Sequence, residues 1–106
     1  LIVCTGVLEP VLAKVEIYTR DFCGYCTRAK ALLKSKGVDF IEHDDSKPET
    51  RREMIQRSQG GYTYPQILIN DVPVGGSDDI HDLDAMGKLE PMLKAEPASE
   101  AQERRA

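Results

Sequence analysis

Apolar and polar positions follow two different periods along the chain. Val15-Glu16-Ile17-Tyr18 is a short β-rich run, and Gln66-Ile67-Leu68-Ile69 is a second, of the length a buried strand needs. Over residues 24–36 the period lengthens to that of a helix, with Cys26, Ala29 and Leu33 at i, i+3 and i+7 and Leu32 beside them. Basic residues crowd the last turns of that helix, where they complement its carbonyl end, and Gly37 supplies the C-cap. Val38 to Glu42 alternates, Val38 and Phe40 against Asp39 and Glu42, and predicts a strand. Ser46-Lys47-Pro48-Glu49 reads as a capping box with a proline in the first turn, predicting a helix over about 47–58 that Gly60-Gly61 stops. Asn70-Asp71 turns the apolar run back into Val72-Pro73-Val74, a hairpin partner that its proline confines to an edge. Gly75-Gly76 ends that strand. Ser77-Asp78 caps a helix carrying Ile80, Leu83 and Met86, and a last helical stretch over about 88–95 holds Leu89, Met92 and Leu93. The order is βαβαββα, and the helical crossover makes the first two strands parallel.

The two ends fall outside this alternation. Residues 1–12 form an apolar N-terminal extension broken by Gly6 and Pro10, and residues 96–106 form a polar tail with no large apolar side chain. The remainder, 13–95, is one α/β domain, as a chain of 106 residues leads one to expect. No stretch approaches the roughly 20 apolar residues of a membrane span, so no membrane association is expected. A net charge of −4, from 14 bases and 18 acids, argues against a dedicated nucleic-acid binder. The charge is unevenly placed. Residues 20–36 hold Arg20, Arg28, Lys30, Lys34 and Lys36 against Asp21 alone, whereas 71–84 hold Asp71, Asp78, Asp79, Asp82 and Asp84 and no base.

The basic segment also holds two of the three cysteines. Three is the wrong count for a disulfide scaffold, which uses an even number to replace core it cannot build. Cys4 stands apart, and Cys23 and Cys26 form a C-x-x-C pair where a strand hands over to a helix. Such usage suits a reducing compartment, hence a cytoplasmic location, in which a dithiol does chemistry. Unpaired N–H groups and the positive end of the dipole at a helix start stabilise a thiolate, and Arg20 adds a permanent cation. The pattern separates an exposed nucleophile, Cys23, from a thiol one turn inside the helix, Cys26, that can resolve a mixed disulfide. Zinc competes poorly, because His43 and His81 stand alone rather than at ligand spacing. A permanent bridge between Cys23 and Cys26 would close only a tiny loop and gain little. Tyr64-Pro65 precedes the third strand, where the local sequence alone reads either as a loop terminator or as a tight approach using a cis bond.

Taken together, Y-T-x-x-x-C-x-Y-C-x-x-A-K-x-L-L, then T-x-P-Q-I-x-I-N, then G-G-S-D-D resembles a dithiol glutaredoxin of the thioredoxin superfamily, over about residues 13–95. The resemblance implies a thioredoxin-like fold, a four-stranded mixed sheet flanked by helices, with a cis Pro65 facing the C-x-x-C. It implies a glutathione-dependent thiol–disulfide oxidoreductase that reduces protein–glutathione mixed disulfides and protein disulfides, with Cys23 as nucleophile and Cys26 as resolving thiol. It also implies a glutathione site. Arg20 and Arg57 would reach the glycine carboxylate, and Tyr25 would line the groove. The backbone of Tyr64, ahead of Pro65, would pair with the cysteinyl part, and Gly76, Ser77 and Asp78 would hold the γ-glutamyl end. The residues suit that ligand, since a helix N-terminus offers N–H groups to a carboxylate and Asp78 offers a carboxylate to an ammonium.

Two positions depart from the family's commonest pattern. Gly24 stands where proline is usual between the cysteines, and Tyr64 stands where valine usually precedes the cis proline. Glycine at the first of these accompanies family members that bind a [2Fe–2S] cluster between two subunits. The resemblance therefore carries an alternative: a homodimeric iron–sulfur carrier or sensor in which Cys23 of each subunit and two glutathiones ligate the cluster. Without a cluster a monomer is expected. A thioredoxin proper is disfavoured, because Phe22 stands where thioredoxins carry tryptophan and the chain has none.

Overall fold

The strand at the centre of the sheet is covered on both faces, which is why all five residues of β1 (Val15–Thr19) are buried. The computed structural model describes residues 13–94; the N-terminal extension with Cys4, and the polar tail, lie outside the described residues. After β1 come α1 (Gly24–Ser35), β2 (Ile41–Asp44), α2 (Pro48–Arg57), β3 (Gln66–Ile69), β4 (Val72–Gly75), α3 (Ser77–Ala85) and α4 (Leu89–Leu93). The sheet order is β2-β1-β3-β4. β2 runs parallel to β1, while β3 pairs antiparallel with both β1 and β4. This is the expected mixed sheet of four strands with flanking helices.

Alternation along β1 sorts the core into two layers. Val15 and Ile17 meet Ala29 and Leu33 of α1, Ile67 and Ile69 of β3, Ile80 of α3 and Leu89 and Leu93 of α4. Tyr18 points the other way, onto Met54 of α2 and Leu68 of β3. Asn70 and Asp71 both adopt positive φ, 54° and 67°, as a two-residue hairpin turn requires. Gly37, at φ 74°, closes α1 as the spacing predicted.

Three local expectations need correction. The second strand is Ile41–Asp44 rather than Val38–Glu42. Val38 and Phe40 do reach the core, but from the approach to the strand. The ladder itself is set by polar cross-links to β1, Thr19 Oγ1 donating to Glu42 at 2.7 Å and His43 Nε2 bonding Glu16 at 3.0 Å. Helix α2 is not opened by Ser46, since Asp44 takes the Ser46 N–H at 2.8 Å and Lys47 becomes the N-cap with no side-chain bond. Likewise α3 begins one residue earlier than a Ser77 cap implies. Gly76 is its N-cap, and the Asp79 carboxylate accepts the Gly76 N–H at 2.8 Å. Met86 lies past the end of that helix and is exposed.

The α2 face of β1 also carries a charge. Glu16, whose side chain is 7% exposed, receives both guanidinium nitrogens of Arg57 at 2.7 Å. Arg57 further donates to the Tyr18 hydroxyl and to Asp71, both at 2.9 Å, while Tyr18 donates to Glu53 and stacks on His43. The Arg57 hydrogen bonds outweigh burial and hold the Glu16 carboxyl down at about 2, from 4.5. A depressed carboxyl contributes stability that is fully present above about pH 4.5 and is lost as the pH falls toward 2. Arg57→Met is therefore expected to cost about 3 kcal/mol at pH 7, because it strands a buried carboxylate. That deficit should narrow as the pH falls and Glu16 takes a proton, as measured by urea unfolding across the acid range.

Candidate active site

The chain leaves β1 through Arg20 and Asp21, and Phe22 takes a φ of 55° before α1 begins. Cys23 is the N-cap of that helix, and its Sγ accepts the Cys26 N–H at 3.2 Å. The Thr27 N–H bonds the Cys23 carbonyl at 3.2 Å, so the first turn grips Cys23 at both its sulfur and its backbone. Helical spacing then turns Cys26 inward, where it is 2% exposed, while Cys23 stays partly accessible. Neither sulfur is bridged. Burial first, and the hydrogen bond to Cys23 second, push the Cys26 thiol up to about 11. At neutral pH Cys26 is therefore a protonated thiol held in reserve.

Beside the dithiol runs a groove of about 280 Å³ lined by Tyr25, the Thr63–Gln66 segment and Gly75 through Asp79. Its floor is the Tyr64–Pro65 peptide, which is cis, so the second of the two local readings holds. Its far wall needs glycine twice. A Cβ at Gly75, where φ is 110°, would lie 2.2 Å from the Asp79 carboxylate, and one at Gly76 would lie 3.2 Å from the Pro65 carbonyl oxygen. Ser77 is buried at the first turn of α3, and its carbonyl accepts from His81 Nδ1 at 2.7 Å. Asp78 is exposed at the groove wall. On the other side of Cys23 lies a polar cavity of about 380 Å³. Thr19 and Lys30 line it, both donating to Glu42, at 2.7 and 3.0 Å, and Cys26 borders it too.

The structure thus brings Tyr25, Tyr64, Pro65, Gly76, Ser77 and Asp78 to one groove, while Cys23 and Arg20 line the polar cavity, Arg20 reaching over the Tyr64 ring. Arg57 is not among them. It lies at the opposite end of β3, spent on Glu16, Tyr18 and Asp71, because Glu16 cannot stay buried and charged without it. The α2 arginine that lies over a groove residue is Arg51, above the Tyr64 ring, and sequence reasoning passed it over. Its guanidinium lies 5.9 Å from the centre of the Tyr64 ring, and that of Arg20 lies 5.6 Å from the same ring. The Tyr64 hydroxyl donates to Asp45 at 2.6 Å, which anchors the ring between the two cations. The signal was one of position. Six residues of helix separate Arg51 from Arg57, about 9 Å along the axis, and only the first turn of α2 stands level with the start of β3.

Among the described residues no group of three or more His, Cys, Asp or Glu side chains could hold a metal ion. Cys23 is the accessible cysteine among the described residues, so these residues do not by themselves supply the ligands of an iron–sulfur cluster.

A family model described as Glutaredoxin matches residues 15–74. Glutaredoxin 3 of Escherichia coli strain K12 is 55% identical over 84 residues, which is 78% of this chain and the whole of that protein. The solution structure of a glutaredoxin from Brucella melitensis is 52% identical and superposes with a TM-score of 0.69, covering 78% of this chain and 90% of that one. The crystal structure of a buckwheat glutaredoxin–glutathione complex gives the same TM-score at 27% identity, covering 76% of each chain. These likenesses make the fold thioredoxin-like, and they span the strand, helix start and proline that assemble the dithiol site. The chain belongs to the glutaredoxin family of thiol–disulfide oxidoreductases.

Proposed function

We propose that the chain uses glutathione to reduce protein–glutathione mixed disulfides, and protein disulfides by a second route. The observation that carries the proposal is the unequal pair of thiols, one at a helix N-cap and the other buried and protonated behind it. The Cys23 thiolate attacks the glutathione sulfur of the mixed disulfide, forming Cys23–S–S–glutathione and releasing the protein thiolate, which takes a proton. The thiolate of a second glutathione then attacks that sulfur, leaving glutathione disulfide and free Cys23. With a protein disulfide, Cys26 displaces the second protein sulfur, and two glutathiones later reduce the Cys23–Cys26 bridge. The glycine carboxylate of glutathione sits between Arg20 and Arg51, its cysteinyl part against the Tyr64 backbone at Pro65, and its γ-glutamyl end on Gly76, Ser77 and Asp78. The buckwheat relative, solved with glutathione, supports that choice of ligand. A compartment rich in reduced glutathione is implied, and we place the protein in the cytoplasm, as a monomer. No helix among the described residues is long and apolar enough to cross a membrane.

The cluster-bridged homodimer remains a second reading on one observation: a Cβ at Gly24 would meet nothing within 4 Å, so the approach to Cys23 is open. A second subunit and two external thiols would have to complete the ligand set. Anaerobic reconstitution with iron, sulfide and glutathione tests it. A colourless monomer ends that reading.

Cys23→Ser is expected to abolish turnover of a glutathionylated peptide, and Cys26→Ser to retain most of it, in an assay coupled to glutathione reductase. Iodoacetamide at about pH 7 should label Cys23 well before Cys26, as read by peptide mass mapping, since little of Cys26 is thiolate there. Loss of activity in both variants would leave the division of labour between the sulfurs without support.

Arg51→Ala should raise KM for glutathione by about fivefold, the loss of one charge-assisted contact at a partly exposed site, with kcat little changed. Arg57→Ala should leave that KM unchanged while lowering the unfolding midpoint, so steady-state kinetics and urea titration together separate the two arginines.

A further inference from the structure

Most large apolar side chains of this domain are inside, yet Phe22 is 104% exposed and Tyr25 is 56% exposed, one on either side of Cys23. Phe22 is also held at a φ of 55°, a region a bulky side chain rarely adopts. The conformation turns the ring out beside the sulfur rather than into the core. Helix packing does not call for this, since the core is closed by Cys26, Ala29 and Leu33. Next to Tyr25 lies a shallow shelf formed by Gly24, Tyr25, Thr27 and Arg28. The Arg28 guanidinium rests 6.0 Å from the Tyr25 ring centre. Lys14, Lys30, Lys36 and Arg57 each pair with a carboxylate, whereas Arg28 makes no ion pair among the described residues. Exposed aromatic rings with an uncommitted arginine are the residue types that dominate protein–protein contacts.

We infer that Phe22, Tyr25 and Arg28 form a docking surface for an extended segment of the substrate protein that carries a carboxylate close to its modified cysteine. This rests on the oxidoreductase reading above and adds to it a class of partner. The surface adjoins the glutathione groove at Tyr25, which lines both, while Phe22 and Arg28 lie outside the groove, so a protein segment can rest on them as the glutathione it carries extends toward Pro65 and α3. Charge decides the kind of partner. The chain as a whole is acidic, at −4, but the rim around Cys23 presents Arg20 and Arg28, so an acidic flank is drawn to the dithiol against the sign of the net charge. Gly24 leaves room for the segment to lie across the helix start, since nothing stands within 4 Å of its Cβ position.

The test compares three glutathionylated substrates at low and physiological salt: cysteine–glutathione disulfide, a peptide with Asp and Glu flanking its cysteine, and the same peptide with Lys in their place. The parent should prefer the acidic peptide over the basic one by about fivefold in kcat/KM, less at higher salt, as one partly screened ion pair allows. Arg28→Glu should reverse that preference, and Phe22→Ala should lower turnover of both peptides, with cysteine–glutathione turnover unchanged in either variant. A parent that turns over cysteine–glutathione but does not distinguish the peptides overturns the docking surface and leaves the oxidoreductase reading intact. A parent inactive on all three overturns that reading itself. An Arg28→Glu variant that slows all three substrates equally assigns Arg28 to the fold or to the glutathione site, and also overturns the proposal.

Discussion

Glu16 occupies the middle of a strand with helices on both sides, and a carboxylate there can stay ionised only if the structure brings a cation to it. Arg57 is that cation, and its two parallel hydrogen bonds tie the last turn of α2 to the centre of the sheet. The same guanidinium reaches Asp71 in the β3–β4 turn, so one side chain clasps a helix, the central strand and the hairpin. Arg51, six residues earlier on the same helix, stands beside Tyr64 at the start of β3 and makes no ion pair of its own among the described residues.

At the dithiol, one helix start performs two tasks by geometry alone. The N-cap position gives Cys23 a backbone N–H donor and access to solvent, and the helical turn carries Cys26 three residues on into the interior. Burial keeps the second sulfur protonated while the first stays partly accessible. Two identical side chains acquire different chemistry from a rotation of one helical turn.

Much of this was legible in the sequence because it depends on local pattern. The apolar run of β3, the Asn70-Asp71 turn and the C-x-x-C at a strand-to-helix junction are local signals, and each element stands close to where it was expected. What was misread depends on partners distant along the chain. The polar strand Ile41–Asp44 has no strand signature of its own and is ordered by Thr19 and Glu16 of its neighbour. Ser46 had the form of a cap, but Asp44 competed for its N–H, and at α3 Asp79 took up the Gly76 N–H ahead of Ser77. Arg57 and Arg51 are alike in sequence; only the position of Glu16 in the folded sheet distinguishes the clasp from the candidate ligand residue.

The sheet has two outer edges, and neither invites another strand. On one side Pro73 removes a backbone donor from β4, and on the other β2 presents Glu42 and Asp44 along a four-residue strand. Growth of the sheet by edge-to-edge pairing is discouraged at both margins, by a missing hydrogen on one and by charge and brevity on the other. Pairing of that kind would build aggregates, and neither margin offers it a free template. On the mechanism proposed above, an encounter at Cys23 lasts instead through side-chain contacts and a transient covalent bond, both of which break when exchange is complete.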